Sequence, residues 1–305
     1  MTLTELRYVI TLAQQKHFGR AAKVCHVSQP TLSVAINKLE QELGVAIFER
    51  DRNSVRVTEI GEKIITQAQR ALDEVSQIRD LAQGSKSQLN APLRVGAIYT
   101  VGPYLFPSLI PKLKKVAPDM PLFLQEDYTA NLRLKLLRGE LDAIFISLPF
   151  AEPGIVTQPL YDEPFVVLMR KDHPFSKKTS IKASELTACE LLLLGEDHCF
   201  RSQVIEACPN CYPTDNKENT IEGTSLETLR HMVASGIGMT VLPSTATQIQ
   251  FYKSILCSKP FEGEVPQRRI ALAWRVSFTR PKAIGALIHA LHDTTTMQGI
   301  CLLPE

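Results

Sequence analysis

Apolar residues at Leu32, Ala35, Ile36, Leu39 and Leu43 fall on one side of a helix with 3.6 residues per turn, and that side must be buried. Ser28 suits the N-cap of this helix. Pro30 falls in its first turn, where a missing N–H costs nothing. Phe18 to Val24 reads as a short helix of small residues, and Cys25, His26 and Val27 as a tight connection. Two short helices joined this way predict a helix-turn-helix. Its second helix presents Gln29, Thr31, Ser33 and Asn37 to a DNA major groove. The stretches 45–50 and 55–58, on either side of a polar turn, predict a hairpin wing. Arg50, Arg52 and Arg56 there can reach phosphates or the minor groove. Periodicity alone leaves equal room for a plainer reading, in which the polar helix face is only solvated surface.

After Thr58, a candidate helix cap, Ile64, Ala68, Ala71, Val75, Ile78 and Ala82 recur at spacings of four and three. That seam predicts a coiled coil pairing two subunits, in preference to a stripe packed on its own domain. Residues 83–88, rich in Gly, Ser and Gln, read as a hinge. From Leu93 the pattern changes. Strand candidates at 93–98, 122–126 and 139–146 alternate with helices running from Thr100 through Leu113 and from Leu132 to Leu137, which predicts a parallel sheet with helices on its faces. Later come an apolar strand at 165–169, a helix at 225–230, an apolar run at 236–243, a last strand at 270–274 and a helix at 281–291. The predicted class is α+β. Residues 1–58 form a winged helix-turn-helix, 59–88 a linker helix and hinge, and 89–305 an α/β sensor domain.

Composition changes this picture little. Hydrophobic content of 44% and charge of 22% are those of an ordinary globular protein. Lacking a signal-like start and any apolar run near the roughly 18 residues that cross a bilayer, the chain is expected in the cytoplasm, without a membrane partner. Seven cysteines are there a pool of reduced thiols, and any disulfide is regulatory or catalytic. Residues 1–56 hold eight Lys/Arg against five Asp/Glu, a weak lean towards a polyanion.

The richest chemistry lies in HCFRSQVIEACPNC, residues 198–211. Cys199 and Cys208 are nine positions apart in a stretch that reads as helix, roughly 13 Å along the axis. A disulfide needs Cα atoms within about 7 Å, so pairing requires the helix to break. Cys199 starts that helix beside His198, with Arg201 close by, surroundings that favour a thiolate. Oxidation to a sulfenic acid, then condensation with a second thiol, would close a disulfide. Phe200, Val204 and Cys208 share one helical face, which buries Cys208 while the helix is intact. Zinc competes on spacing alone, because His198, Cys199, Cys208 and Cys211 make a Cys₃His set. Cys25, Cys189 and Cys257 read as small buried hydrophobes, and Cys301 is unassigned. Thr100 and Thr129 each sit at a strand-to-helix junction, where capping is their minimum role.

The run AAKVCHVSQPTLSVAINKLEQELGVAIFER, within residues 1–60, closely resembles the reader of LysR-type transcriptional regulators. HCFRSQVIEAC, TSLETLR at 224–230 and YTVGPYLFP from Tyr99 are similar to the peroxide-sensing members of that family, so the resemblance extends over most of the chain. It implies a two-lobed sensor built like a periplasmic solute-binding protein, with lobe I at about 89–162 and 269–305 and lobe II at about 163–268. It implies peroxidatic Cys199 and resolving Cys208, with Thr100, Thr129, His198 and Arg269 lining a peroxide pocket as donors. Arg268 competes with Arg269 for that place. It puts Ser28, Gln29, Thr31, Ser33 and Arg50 at the DNA surface, with Arg52 on the wing beside them. Cys211 departs from the usual pattern and competes with Cys208. The implied partners are double-stranded DNA, hydrogen peroxide, further copies of the chain as a homodimer or homotetramer, RNA polymerase and cellular thiol reductants. No cofactor or metal is implied, and the protein is expected to be no enzyme. The rival readings are a LysR-type regulator of a small metabolite bound between the lobes, and a thiol peroxidase.

Overall fold

Thr2 caps the first helix, α1 (Leu3–Gln15), in a reciprocal capping box with Glu5. Sequence reading had no element there. α2 (Phe18–Val24) and α3 (Gln29–Leu43) follow as expected, joined by a turn in which His26 takes the left-handed conformation at φ 56°. Leu32, Ile36 and Leu39 of α3 are fully buried, whereas Leu43, at the end of the same stripe, is exposed. The wing is the antiparallel pair β1 (Phe48–Asp51) and β2 (Ser54–Val57). In this computed structural model all residues are described except 52–53, 84–87, 187–190, 210–221, 248–251, 293–299 and 304–305. The hinge expected at 83–88 therefore lies almost wholly outside the described residues.

α4 (Glu59–Gln83) carries the predicted seam. Ile65 and Ala68 are buried in the core of residues 6–68, with Ile64, Ala71 and Leu72 packed against it, so the first half of the stripe covers the chain's own reader. Ile78, further along, is 67% exposed. α4 also rests on the sensor: Arg275 and Ser277 donate to Asp73 at 2.9 and 2.8 Å, Arg70 donates to the Pro153 carbonyl at 3.0 Å, and Arg138 pairs with Glu62.

The sensor begins with the alternation β3 (Leu93–Ile98), α5 (Gly102–Val116), β4 (Leu122–Asp127), α6 (Thr129–Leu137) and β5 (Ala143–Ser147). β3, β4 and β5 are parallel, as expected. The sheet as a whole is mixed. β6 (Ile155–Arg170) is a 16-residue strand that runs through both lobes. It pairs antiparallel with β11 (Gln267–Arg275), with β9 (Met239–Pro243) and with β10 (Leu256–Pro260). Pro159 and Pro164 obscured its first half, because proline is rare inside a strand. β7 (Leu191–Leu194), four buried leucines, gave no periodic signal either. It is parallel to β9 and to the short β8 (Glu222–Gly223). α7 (Cys199–Ala207), α8 (Leu226–Ala234) and α9 (Pro281–His292) pack on these strands, and β12 (Cys301–Leu302) closes on β6. One sensor core gathers residues 93–161 and 270–291, and a second gathers residues 165–261.

Candidate functional site

The carboxyl ends of parallel strands and the start of a helix converge on one point. β3 ends at Ile98 and is followed by Tyr99 and Thr100, β4 ends at Asp127 and leads through Tyr128 into Thr129 at the head of α6, and His198 and Cys199 open α7. These residues line one cavity of about 10 Å³, room for a single water-sized molecule. Its position outside strand ends and at helix N-termini places free backbone N–H groups and helix dipoles around it, which favour an anion or a partly negative oxygen. Thr100, Thr129, His198 and Cys199, far apart in sequence, are thus brought together.

Arg269 is not brought with them. It is exposed and pairs with Asp162 at 2.6 and 2.8 Å, a contact that holds the Asp162 carboxyl below its ordinary range. Arg268 takes the inward place. It donates to Thr100 Oγ1 at 2.7 Å and to the Thr100 carbonyl at 2.8 Å, and it pairs with fully buried Glu163 at 2.7 Å. Its guanidinium also stacks 5.1 Å from the Phe200 ring centre. The reason is strand alternation: from Gln267 to Ile270 exposed and buried positions alternate, and Arg268 has the inward phase. That period of two was the signal available in the sequence.

His198 is buried, and burial pulls its basicity below that of an ordinary imidazole, partly countered by the Thr224 carbonyl. Nε2 lies 3.1 Å from that carbonyl, which can only accept, so Nε2 carries the proton. A neutral ring protonated there has Nδ1 as an acceptor, which corrects the expectation of a donor. The rings of Tyr128 and Tyr99 meet His198 edge-on at 4.9 and 6.1 Å. Burial, with Asp127 adding to it, raises the Tyr99 phenol. Burial acts to raise the Asp127 carboxyl too, but bonds from Lys135, Asn131 and the Tyr128 N–H outweigh it and leave Asp127 ionised. Thr100 Oγ1 already accepts from Arg268, so its own O–H is free to donate. Tyr99, Tyr128, Asp127 and Glu163 were not foreseen as part of this site.

Cys199 is half-buried and packs against the first sensor core, whereas Cys208 is fully buried in the second. Neither is in a disulfide, and they stand at opposite ends of α7, which is helical from 199 to 207 as expected. Nine residues of helix hold them roughly 13 Å apart, too far for a disulfide and for one shared metal ion. Among the described residues no three His, Cys, Asp or Glu side chains converge as a metal site. Cys211 lies outside the described residues, as does Cys189.

On the reader, Ser28, Gln29 and Thr31 are exposed and Ser33 is half-buried. Ser28 Oγ accepts from the Thr31 N–H at 3.2 Å and lies 2.7 Å from its hydroxyl, so the cap and the candidate DNA face share a residue. Arg50 belongs to β1, Arg56 is exposed on β2, and Arg52 lies outside the described residues.

Comparison with known proteins agrees with both halves. A family described as "Bacterial regulatory helix-turn-helix protein, lysR family" matches residues 3–62, and "LysR substrate binding domain" matches residues 86–296. The chain is 39% identical over 276 residues to a "Hydrogen peroxide-inducible genes activator" of Dickeya chrysanthemi, covering 90% of each. It is similar to a full-length OxyR variant from Pseudomonas aeruginosa, at 55% identity and a TM-score of 0.90, covering 100% of this chain and 98% of that one. It is also similar to a Corynebacterium glutamicum OxyR mutant described as H2O2-bound, at 34% identity and a TM-score of 0.64, covering 96% and 92%.

Proposed function

This chain belongs to the LysR family of transcriptional regulators, within its OxyR group, and from that premise we propose that it senses hydrogen peroxide through Cys199. It is a DNA-binding, redox-sensing regulator. In the proposed chemistry the Cys199 thiolate attacks one peroxide oxygen, the O–O bond breaks, and the departing hydroxide takes a proton to become water. Cys199 is left as a sulfenic acid. The Cys208 thiol then attacks that sulfur, the S–O bond breaks, and water leaves as the disulfide forms. Sulfur supplies both electrons.

The observation that carries this reading is the position of Cys199 in the wall of the small cavity, beside Thr100, Thr129 and His198. Thr100 donates to the peroxide, oriented by Arg268, which replaces Arg269 in this role. His198 Nδ1 accepts a proton. Thr129 brings the N-terminus of α6. Closing the disulfide unwinds residues 200–207, and the altered sensor resets how subunits present their readers. Cellular thiol reductants reopen the bond, and Cys211 competes with Cys208 as the resolving thiol. Ser28, Gln29, Thr31, Ser33, Arg50 and Arg52 meet double-stranded DNA.

The three hydrophobic cores support a division into a reader (1–58), a linker (59–88) and a two-lobed sensor (89–305). The working assembly is a homodimer or homotetramer that engages RNA polymerase in the cytoplasm. Among the described residues no helix is long and apolar enough to cross a membrane. The protein acts as a switch, turning over once per signal.

Cys199→Ser tests the reading. It should abolish peroxide-dependent disulfide formation, mapped by mass spectrometry, and the peroxide-dependent change in promoter footprint. A footprint change that survives the substitution would favour a metabolite regulator. Repeated turnover with a reductant at enzymatic rates would favour a thiol peroxidase.

A further inference from the structure

Helix α7 is held from both lobes. On one side Arg201 donates to the Leu194 carbonyl and to Glu222, both at 2.6 Å, while Phe200 and Val204 are buried in the second core. On the other side Gln203 Nε2 donates to Ser147 Oγ at 2.8 Å, reaching β5 in the first lobe. Ser147 is buried. The second half of the amide, Gln203 Oε1, is buried with no hydrogen-bond partner among the described residues.

We propose that the Ser147–Gln203 bond is a clamp that keeps α7 helical in the reduced protein and sets the rate of disulfide closure, not the rate of attack on peroxide. The proposal rests on the Cys199–Cys208 reading above. Gln203 lies between the two thiols, four positions after Cys199 and five before Cys208. To bring those residues from roughly 13 Å to within about 7 Å, the segment between them must leave the helix. Gln203 cannot follow that movement and stay on β5. Attack by Cys199 needs no such movement, because the cavity is built at the ends of β3 and β4 and the first residue of α7.

Hydrogen peroxide, the oxidant, has already converted Cys199 to the sulfenic acid. The new S–S bond forms as the Cys199 S–O bond breaks, and the hydroxyl leaves with the Cys208 thiol proton as water. A single neutral hydrogen bond changes such a rate by about fivefold. Releasing Gln203 also returns an unpartnered buried acceptor to water, so the clamp resists unwinding without forbidding it. Ser147 and Gln203 are positioning residues.

The full-length reduced protein is mixed with hydrogen peroxide, and aliquots are taken into a sulfenic-acid trap and a thiol alkylating agent for mass spectrometry. Ser147→Ala should oxidise Cys199 at the wild-type rate and close the disulfide about fivefold faster. Ser147→Thr, which keeps the hydroxyl, should restore the wild-type closure rate. Gln203→Leu removes the clamp from the helix side and should match Ser147→Ala. Unchanged closure in Ser147→Ala and Gln203→Leu overturns the clamp, as does an equal change in both steps. A parallel equilibration in dithiothreitol buffers reads the Cys199–Cys208 couple without peroxide. Ser147→Ala should form the disulfide at a lower ratio of oxidised to reduced dithiothreitol. If wild type ignores peroxide while this equilibrium still shifts, the peroxide reading fails and the clamp stands.

Discussion

At the scale of single residues, two neighbours with the same side chain have opposite fates. Arg268 is fully buried against Glu163, and Arg269 is half exposed against Asp162. Removing one partner of a buried pair leaves an uncompensated charge, so Arg268→Ala should lower stability by about 3–5 kcal/mol, read from urea unfolding. It should also slow Cys199 oxidation by peroxide, because Thr100 loses the group that orients it. Arg269→Ala should leave both measurements near wild type. The opposite ranking would return the pocket role to Arg269. His198 gives a pH signature. Above its ordinary value of about 6.5 the folded and unfolded chains both hold a neutral ring, and stability is at its full level. As pH falls below that value the unfolded chain takes up the proton first, because burial lowers the folded-state value. Stability contributed by the neutral buried ring is therefore lost as pH falls below about 6.5, until the folded-state ring takes up its proton as well. His198→Gln should flatten that part of the stability profile, whereas an unchanged slope would mean that His198 is as basic folded as unfolded. Cys199, Thr100, Thr129 and His198 were legible from sequence, through the residue types and the family resemblance. Glu163, Tyr99 and Tyr128 were not, because nothing in their local pattern announces a partner far along the chain.

At the scale of elements, α7 was readable in full, since Cys199 to Ala207 contains no helix breaker and Phe200, Val204 and Cys208 keep helical spacing. The same pattern foretold that Cys208 is inaccessible while the helix is intact, which makes unwinding a condition for its reaction. The helix-turn-helix was equally plain, because Ser28, Pro30 and the Leu32–Ile36–Leu39 stripe are local signals that agree with one another. β6 was half lost to its two prolines. α4 was found as a helix, and the first half of its stripe also lies on the reader. Its apolar spacing is common to a coiled coil and to a helix lying on its own domain, so periodicity cannot separate the two. Ile65 and Ala68 are buried against the reader and Asp73 pairs with Arg275, whereas Ile78, later in the seam, stays exposed.

At the scale of the whole molecule, β11 carries Arg268 beside the cavity and Arg275 beside the linker helix, so one strand spans the distance from chemistry to linker. Two glycines with positive φ, Gly139 and Gly154, lie under side chains of α4. A Cβ on Gly139 would lie 2.6 Å from Gln69, and one on Gly154 would strike Arg70. Arg275 also donates to the carbonyls of Leu136 and Leu141, so it stays anchored if Asp73 is lost. Asp73→Asn should therefore cost about 1.5–3 kcal/mol, the range for hydrogen bonds to charged groups. Amide hydrogen exchange should rise in the middle of α4 while peroxide still closes the disulfide, and the footprint should respond less to peroxide. Unchanged exchange in α4 would show that this contact does not seat the helix. The sequence by itself determined the reader, the α/β plan of the sensor and the paired thiols on one helix, because caps, periodicity and spacing act over a few residues. Only tertiary structure decided which arginine turns inward, which proton His198 keeps and what α4 lies against. Those outcomes depend on strand phase, on burial and on contacts between distant residues, 26 positions apart for His198 and Thr224 and 202 for Asp73 and Arg275, where no local pattern is written.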